Sequence, residues 1–463
     1  MFDYVLIQEQ KVPVTATADI VVVGGGPAGV GAAIAASREG ARVILVERMF
    51  CLGGMMTGGL VGKIAISHRN RGIAAELLER LDRYQGTSFV QSRPETPIDP
   101  ELAKLLLDKM VIDEAGVDVR FGTTLTQVVK EGRQAKAVIV SGLNGLQAIR
   151  AKYLIDCTGD GQAAFLAGAA YMLGDEEGGL GSAPSLLFRV ARVDVDKFIN
   201  ACEEDEETYK SDRTRYSPRE ARELYHSDRY VFFANYMPLV RRRIEENPQM
   251  FSEWERQVLT TRGLIFLNQP QSGVILVNST RILGFHGNDA AELSSAMVNG
   301  RRQVETIFRF MKTFLPGFEN SIIMDTGGML GIRESRRVAG DYVFNEDDVS
   351  GATRYEDAVL SNNGGIEIHS STGAGLRGTR LGQDEYYHIP YRSIIARDFD
   401  NLFMAGRCFS ASHAALSAAR SIACCIAMGQ AAGSAGAQLV KNQKTNTRDI
   451  DIYALQEKLV NIL

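Results

Sequence analysis

Six residues, Gly24-Gly25-Gly26-Pro27-Ala28-Gly29, have the spacing GxGxxG and lie between segments of different character. Ahead of them is a short apolar run, Asp19 to Val23. Behind them come a small-residue helical pattern, Pro27 to Glu39, and a second apolar run, Arg42 to Val46. Strand, glycine turn, helix, strand is a βαβ unit, which requires parallel strands. Each glycine has its own reason: Gly24 for the positive φ of the tight turn, Gly26 for close backbone approach to a pyrophosphate, Gly29 for helix–sheet packing. The N–H groups and dipole at the helix start attract a dianion without a basic side chain. Glu47 ends the second strand 18 positions beyond Gly29, where a carboxylate accepts hydrogen bonds from both ribose hydroxyls and disfavours a phosphate there. A merely tight turn would need neither the flanking elements nor the acid. Which dinucleotide binds stays open on these residues. After Arg48, however, the segment Cys51-Leu52-Gly53-Gly54-Met55-Met56-Thr57-Gly58-Gly59 lets backbone run along an elongated ligand, which NAD sites rarely need.

Further along, helices are predicted over Ile73 to Arg83 and from Asp99-Pro100, a capping residue followed by a favoured first helical residue, to about Ala115. Val117 to Phe121, Thr126 to Lys130, Ala135 to Val140 and Ala148 to Asp156 read as strands, the last returning to the parallel sheet. From about Ala170 to Leu360 the pattern changes to a charged stretch, Glu203 to Arg229, and helices around Glu220, Arg241 and Ser295 to Phe314. A Gly-rich loop, Ser371 to Gly382, precedes a buried strand at Asn401 to Ala405 and a small-residue helix at Ser421 to Val440. A polar linker, Asn442 to Arg448, leads to an amphipathic helix, Asp451 to Leu463. The expected fold is α/β: a Rossmann-like dinucleotide domain of residues 18–170 plus 361–441, interrupted by an α+β substrate (cap) domain of residues 171–360, with 442–463 as a C-terminal linker and helix. No internal repeat is visible.

The chain has 463 residues, too many for one ordinary core. Hydrophobic residues make up 45% and charged residues 23%, an ordinary globular balance. A net charge of −5 and no long Lys/Arg block argue against nucleic acid or anionic membrane as partners, so a small-molecule substrate is expected. The six cysteines include no CxxC pair, which predicts reduced thiols and no metal site. Asp3, Gln8, Gln10 and Lys11 interrupt the first 18 residues, and no later stretch is long enough to span a bilayer. Cytoplasmic residence is the expectation.

The chain resembles the bacterial FAD-dependent oxidoreductases of the glutathione-reductase-like superfamily, and distantly the fumarate reductase flavoproteins. The resemblance rests on the fingerprint ending in Glu47, the LGGMMTGG segment, Asp156 to Gly161, Gly331 to Arg337, Ile389 to Arg392, and Asn401 to Gly433. It implies FAD, held non-covalently by Gly24, Gly26, Pro27, Ala28, Gly29, Glu47, Arg48, Gly53, Gly54, Met55, Thr57, Thr158, Gly159, Asp160, Gly406, Arg407, Gly429, Gln430 and Ala431. Two residue-level alternatives stay beside it: Asp160 as a helix cap, and Gly429 to Gly433 as tight helix packing. His68 is the histidine that covalent attachment would use. No second fingerprint is visible, so the electron donor or acceptor is not a dedicated NAD(P)H domain. Homo-oligomerisation is left open.

Flavin performs the hard step, so the protein needs few catalytic groups. From their family positions, His413 is the expected base, Arg420 the holder of an anionic flavin or substrate carboxylate, and Arg392 a substrate anchor, while Arg336 reads as a paired structural arginine. Relatives carry an acid where this chain has Ala414 and a proline where it has Ala423, which implies a different substrate pocket. The expected activity is hydride transfer between FAD and a small polar, carboxylate-bearing molecule. The alternatives are a non-redox or RNA-modifying flavoprotein, which the acidic balance disfavours, and a nucleotide-binding module with vestigial chemistry.

Overall fold

The computed structural model describes residues 9–65, 71–87, 96–175, 179–210, 216–227, 231–285, 287–371, 373, 376–382 and 384–463. His68 lies outside them.

The first strand, β1 (Val14–Val23), pairs in parallel with β2 (Val43–Val46) on one side and with Gly145–Asp156 on the other. Asp118–Arg120 extends the sheet beyond β2. Ile20, Val21, Val22 and Leu45 are fully buried, the continuous apolar run of a parallel strand covered on both faces. The strand Gly145–Asp156 has two partners on its far side. Its first half pairs antiparallel with Gln134–Gly142, and its end, Leu154 to Asp156, pairs in parallel with Leu402–Met404. A meander through Thr124–Glu131 completes seven strands.

Helix α1 (Pro27–Arg38) starts with Pro27 in its first turn and ends at Glu39, followed by Gly40 at φ +91°, an asymmetry the ring and the missing Cβ dictate. Nine consecutive residues, Ala28 to Ala36, are buried, because Ile422–Lys441 covers the face that the sheet does not. The two helices meet through glycines. A methyl on Gly31 would lie 2.1 Å from the Ile426 carbonyl oxygen, one on Gly429 1.9 Å from that of Ala28, and one on Gly433 2.2 Å from that of Ala32.

Residues 188–326 hold a second sheet, five antiparallel strands in the order Phe232–Ala234, Ile265–Asn268, Ile275–Val277, Phe188–Ala191, Ile322–Thr326. Its core centres on Phe198, ringed edge-to-face by Tyr209, Phe233, Tyr236, Phe266 and Phe318 at 5.3 to 5.9 Å. The 25-residue helix Ala290–Phe314, capped by Asp289 through the Glu292 N–H, closes the other side.

Two elements differ from expectation. The Gly-rich stretch from Ser371 is a hairpin in its second half, Leu376–Thr379 pairing antiparallel with Ile366–His369; the partner strand alternates apolar and polar residues, but over only four positions, at the lower limit for a strand signal. The last helix is shorter, Ile452–Lys458, capped by Asp451. Among the described residues no single helix is long and apolar enough to cross a membrane.

Candidate functional site

The C-terminal ends of β1, β2 and the Gly145–Asp156 strand meet at one edge of the sheet, where three loops touch. Gly24, at φ +98°, passes so close to the next strand end that a methyl there would sit 2.6 Å from the Cys157 carbonyl oxygen. Gly29 packs against Gly24 itself, 1.8 Å from its carbonyl oxygen to a built Cβ. Gly53 N–H donates to the Gly25 carbonyl at 2.8 Å, and a methyl on Gly54 would lie 3.0 Å from Gly26 Cα. The turn and the second glycine loop are therefore one surface.

Gly26 is different. A methyl there would meet nothing within 4 Å, its backbone is extended, and its side offers no cap to α1. This is the cradle that a pyrophosphate needs: open space beside the N–H groups at a helix start with no acid in its first turn. Glu47 is buried beside it, with Oε2 accepting the Gly25 N–H at 2.6 Å and Oε1 the Met49 N–H at 2.7 Å. Each carboxylate oxygen keeps a second lone pair for a ribose hydroxyl, so the two backbone bonds orient the acid. Arg48 is exposed.

Beyond the next strand end, buried Asp156 organises a tight loop. Its Oδ1 accepts the N–H and hydroxyl of Thr158, and its Oδ2 accepts the Ala164 N–H. Burial raises its pKa, and those donors oppose the shift. Asp156 and Thr158, rather than Asp160, thus satisfy the start of the Gln162–Ala167 helix, whose cap position is Gly161. Asp160 instead ion-pairs with Arg407 at 2.9 Å and accepts the Ser335 hydroxyl at 2.8 Å. Arg407 lies over Gly159, 2.8 Å from a built Cβ, and also donates to the Ile332 carbonyl. Gly406, at φ +83°, faces Ala28.

Several expected site residues have other roles. Thr57 is fully buried, and its hydroxyl donates to the Leu52 carbonyl at 2.5 Å, fastening the loop internally. Met55 packs against Gly59 and Gly331. Gly429 and Ala431 are buried in the helix seam, and Gln430 Oε1 accepts the Ile73 N–H at 3.0 Å. These contacts are helix packing, so the flavin-facing expectation for Gly429, Gln430 and Ala431 finds no support in them. Arg392 does not join the group: its half-exposed side chain pairs with Asp357 at 2.9 Å beside Tyr342 and Tyr355. Arg336 stacks on Phe165 at 4.1 Å and donates to the Asp160 carbonyl.

His413 and Arg420 flank a short helix. Ser412 caps His413–Ala419, and Arg420 ends it where the chain turns by 95° into Ile422–Lys441. His413 is 7% exposed, with Nδ1 2.5 Å from Oε2 of the equally buried Glu334. Glu334 also pairs with Arg337. The Gly331 to Arg337 run is visible in the sequence, but Glu334 as the partner of His413 is not, because the two are 79 residues apart. Arg420 donates to the Glu367 carbonyl at 3.3 Å; burial, reinforced by Arg407, lowers its pKa.

Among known proteins, thiamine thiazole synthase of Methanococcus aeolicus is 34% identical over 151 residues, 30% of this chain and 54% of the relative. The Aeropyrum pernix thiamine thiazole synthase is 32% identical over 155 residues, 30% and 54% of the two chains. The chain thus spans about half the length of the curated relatives it matches. A geranylgeranyl bacteriochlorophyll reductase-like structure from Thermoplasma acidophilum covers 96% of this chain and 83% of its own, at 14% identity and a TM-score of 0.47. The glycine turn, Glu47 and the loops around them lie within residues 19–459, which match the model of one family, FAD dependent oxidoreductase, and the chain belongs to that family.

Proposed function

We propose that this FAD-dependent oxidoreductase transfers a hydride between a carbon of a small polar substrate and the flavin. The observation that carries the reading is the buried His413–Glu334 pair, one residue along the chain from Ser335, whose hydroxyl reaches Asp160 in the loop beside the fingerprint. FAD, when bound, supplies the hydride-accepting or hydride-donating ring. The residues suited to hold it are Gly24 to Gly29, Glu47, Gly53, Gly54, Thr158, Gly159 and Arg407. With Glu334 ionised, Nδ1 of His413 carries the proton donated to Oε2, which leaves Nε2 as the basic nitrogen. A base of this kind removes a hydroxyl or amine proton while hydride leaves the adjacent carbon. The antiparallel sheet of residues 188–326 supplies the substrate side of the site. The net charge of −5 supports a small molecule rather than nucleic acid or membrane as partner. The thiazole synthase likeness covers less than a third of the chain and does not extend to that activity.

The test is the absorbance spectrum of the purified protein before and after acid precipitation, followed by anaerobic addition of hydroxy acids, amino acids, sugars and NAD(P)H. The expected result is a flavin spectrum that passes into the supernatant and is bleached by one compound class. The bleaching rate should decline as pH is lowered in the wild type, because a base must be unprotonated to act, and His413→Asn should lose that limb while keeping its flavin. A flavin-loaded protein that no donor bleaches and whose chemically reduced form no acceptor reoxidises would overturn the redox reading.

A further inference from the structure

Where the second sheet, the Ile366–Thr379 hairpin and the helix corner at Arg420 come together, four guanidinium groups converge. Arg281 donates from Nη2 to His369 Nδ1 at 3.0 Å and from Nη1 to the Gly373 carbonyl at 3.0 Å. Arg420 reaches the same strand two residues earlier, at the Glu367 carbonyl. Arg333 donates to the Ala183 carbonyl and, at 3.2 Å, to the Ser185 hydroxyl; Arg262 donates to Asn278 Oδ1 at 3.1 Å. Among the described residues, Arg333 and Arg420 donate only to neutral oxygens. Glu367, whose side chain is exposed at the strand edge, opposes the charges of Arg333 and Arg420.

The charges act on one another. Burial first, then Arg262, Arg420 and Arg281, pushes the pKa of Arg333 well below its usual value. The imidazole of His369 is likewise held neutral, by burial and then by Arg333, Arg420, Arg262 and Arg281. A guanidinium does not shed its proton under these conditions, so the fold holds like charges close together, with Arg281 buried and Arg262, Arg333 and Arg420 partly buried, an arrangement that favours an anion among them.

The patch adjoins the cofactor loops. Ser185 and Gly331 exchange backbone hydrogen bonds, the Gly328 N–H donates to the Gly58 carbonyl at 2.8 Å, and a methyl on Gly331 would lie 3.4 Å from Met55 Cε. Arg407, over Gly159, is one of the charges felt by Arg420.

We propose that Arg262, Arg281, Arg333 and Arg420 form the binding site of a small dianion, a dicarboxylate or a phosphate monoester, beside the flavin-binding loops. The proposal rests on the oxidoreductase reading above and names its substrate class. One carboxylate is matched by a single guanidinium fork, and would leave the remaining like charges facing one another. Two anionic groups, or one doubly charged group, neutralise the cluster and use the fork geometry. His369, kept neutral, accepts from Arg281 and so aims that guanidinium without adding a fifth charge.

The experiment is calorimetric titration of the FAD-loaded protein with malonate, inorganic phosphate and acetate at fixed ionic strength. At least one dianion is expected to bind ten times or more tightly than acetate. Malonate ahead of phosphate identifies a dicarboxylate site, and the reverse a phosphate ester site. Arg333→Gln and Arg281→Gln are expected to weaken the preferred dianion at least tenfold, whereas Arg219→Gln, on an exposed helical pair, leaves it unchanged. Should Arg333→Gln not fold, Arg420→Lys and Arg281→Lys, which keep the charge and lose the fork, are expected to weaken binding with flavin content intact. No preference for dianions, or binding insensitive to these variants, overturns the proposal. A protein that lacks FAD overturns the cofactor reading instead, and the same titration on that protein still decides the anion site.

Discussion

Gly26→Ala separates cofactor binding from folding. The added methyl meets no protein atom within 4 Å, and the backbone at φ −70°, ψ −173° suits any residue. The apo-protein should therefore change by less than about 1 kcal/mol, toward greater stability, because alanine restricts the unfolded chain. The effect on FAD is opposite in sign. A phosphate oxygen hydrogen-bonded to the helix N–H groups sits about 2.9 Å from nitrogen, whereas a methyl requires about 3.5 Å or more. Losing one charge-assisted hydrogen bond at about 1.5–3 kcal/mol raises the dissociation constant roughly tenfold to a hundredfold. The measurements are urea unfolding of the apo-protein and titration of apo-protein with FAD, followed by flavin fluorescence. An unchanged FAD affinity would place the pyrophosphate elsewhere and refute the cradle. Gly29→Ala is the control in the other direction: its methyl would lie 1.8 Å from the Gly24 carbonyl oxygen, so folding itself should fail.

Gly433→Ala should destabilise the protein, since a methyl 2.2 Å from the Ala32 carbonyl oxygen forces the helix seam apart; overpacking of about 1–3 kcal/mol exceeds the roughly 1 kcal/mol gained in helix propensity, and a raised melting temperature would contradict the packing. His369 has its folded-state pKa depressed below 6.5 by burial and the arginines. The unfolded chain therefore binds a proton that the folded chain refuses, and stability should fall by about 1.4 kcal/mol per pH unit below that value. His369→Gln should flatten that slope in urea titrations between neutral and mildly acid pH, and an unchanged slope would rule out the neutral imidazole. The Glu76 carboxyl, held below its ordinary 4.5 by Arg38 and Arg80, has the opposite linkage: its stabilisation is present above that value and lost as pH falls through the lower folded pKa. Glu76→Gln should weaken the acid limb, and identical acid unfolding profiles would show that the pairs contribute nothing.

The parts of this molecule that were legible in its sequence are those whose reasons are local. The fingerprint, its strands and Glu47 lie within one stretch of chain in which each position has a single demand: a positive φ at Gly24, no side chain at Gly29, an acid at the end of β2. Gly429 to Ala431 carry the opposite lesson. Small residues four apart allow a helix to approach either a ligand or another helix, and only the position of α1, with Ala28 and Ala32 carbonyls against Gly429 and Gly433, selects packing. Asp160 shows the same limit on a smaller scale, because the preceding Asp156 and Thr158 already satisfy the helix start and leave its carboxylate for Arg407. Glu334 with His413, and the four arginines, depend on contacts between distant segments, and no spacing rule predicts them. Like charges do not gather spontaneously. The aromatic core around Phe198 and the helix seam around Gly433 hold their segments in place by apolar burial, and that burial supplies the free energy that keeps four guanidiniums together. A site of this kind is most stable when an anion is bound, so on the proposal made above the arginine cluster, rather than the glycine turn, selects the substrate.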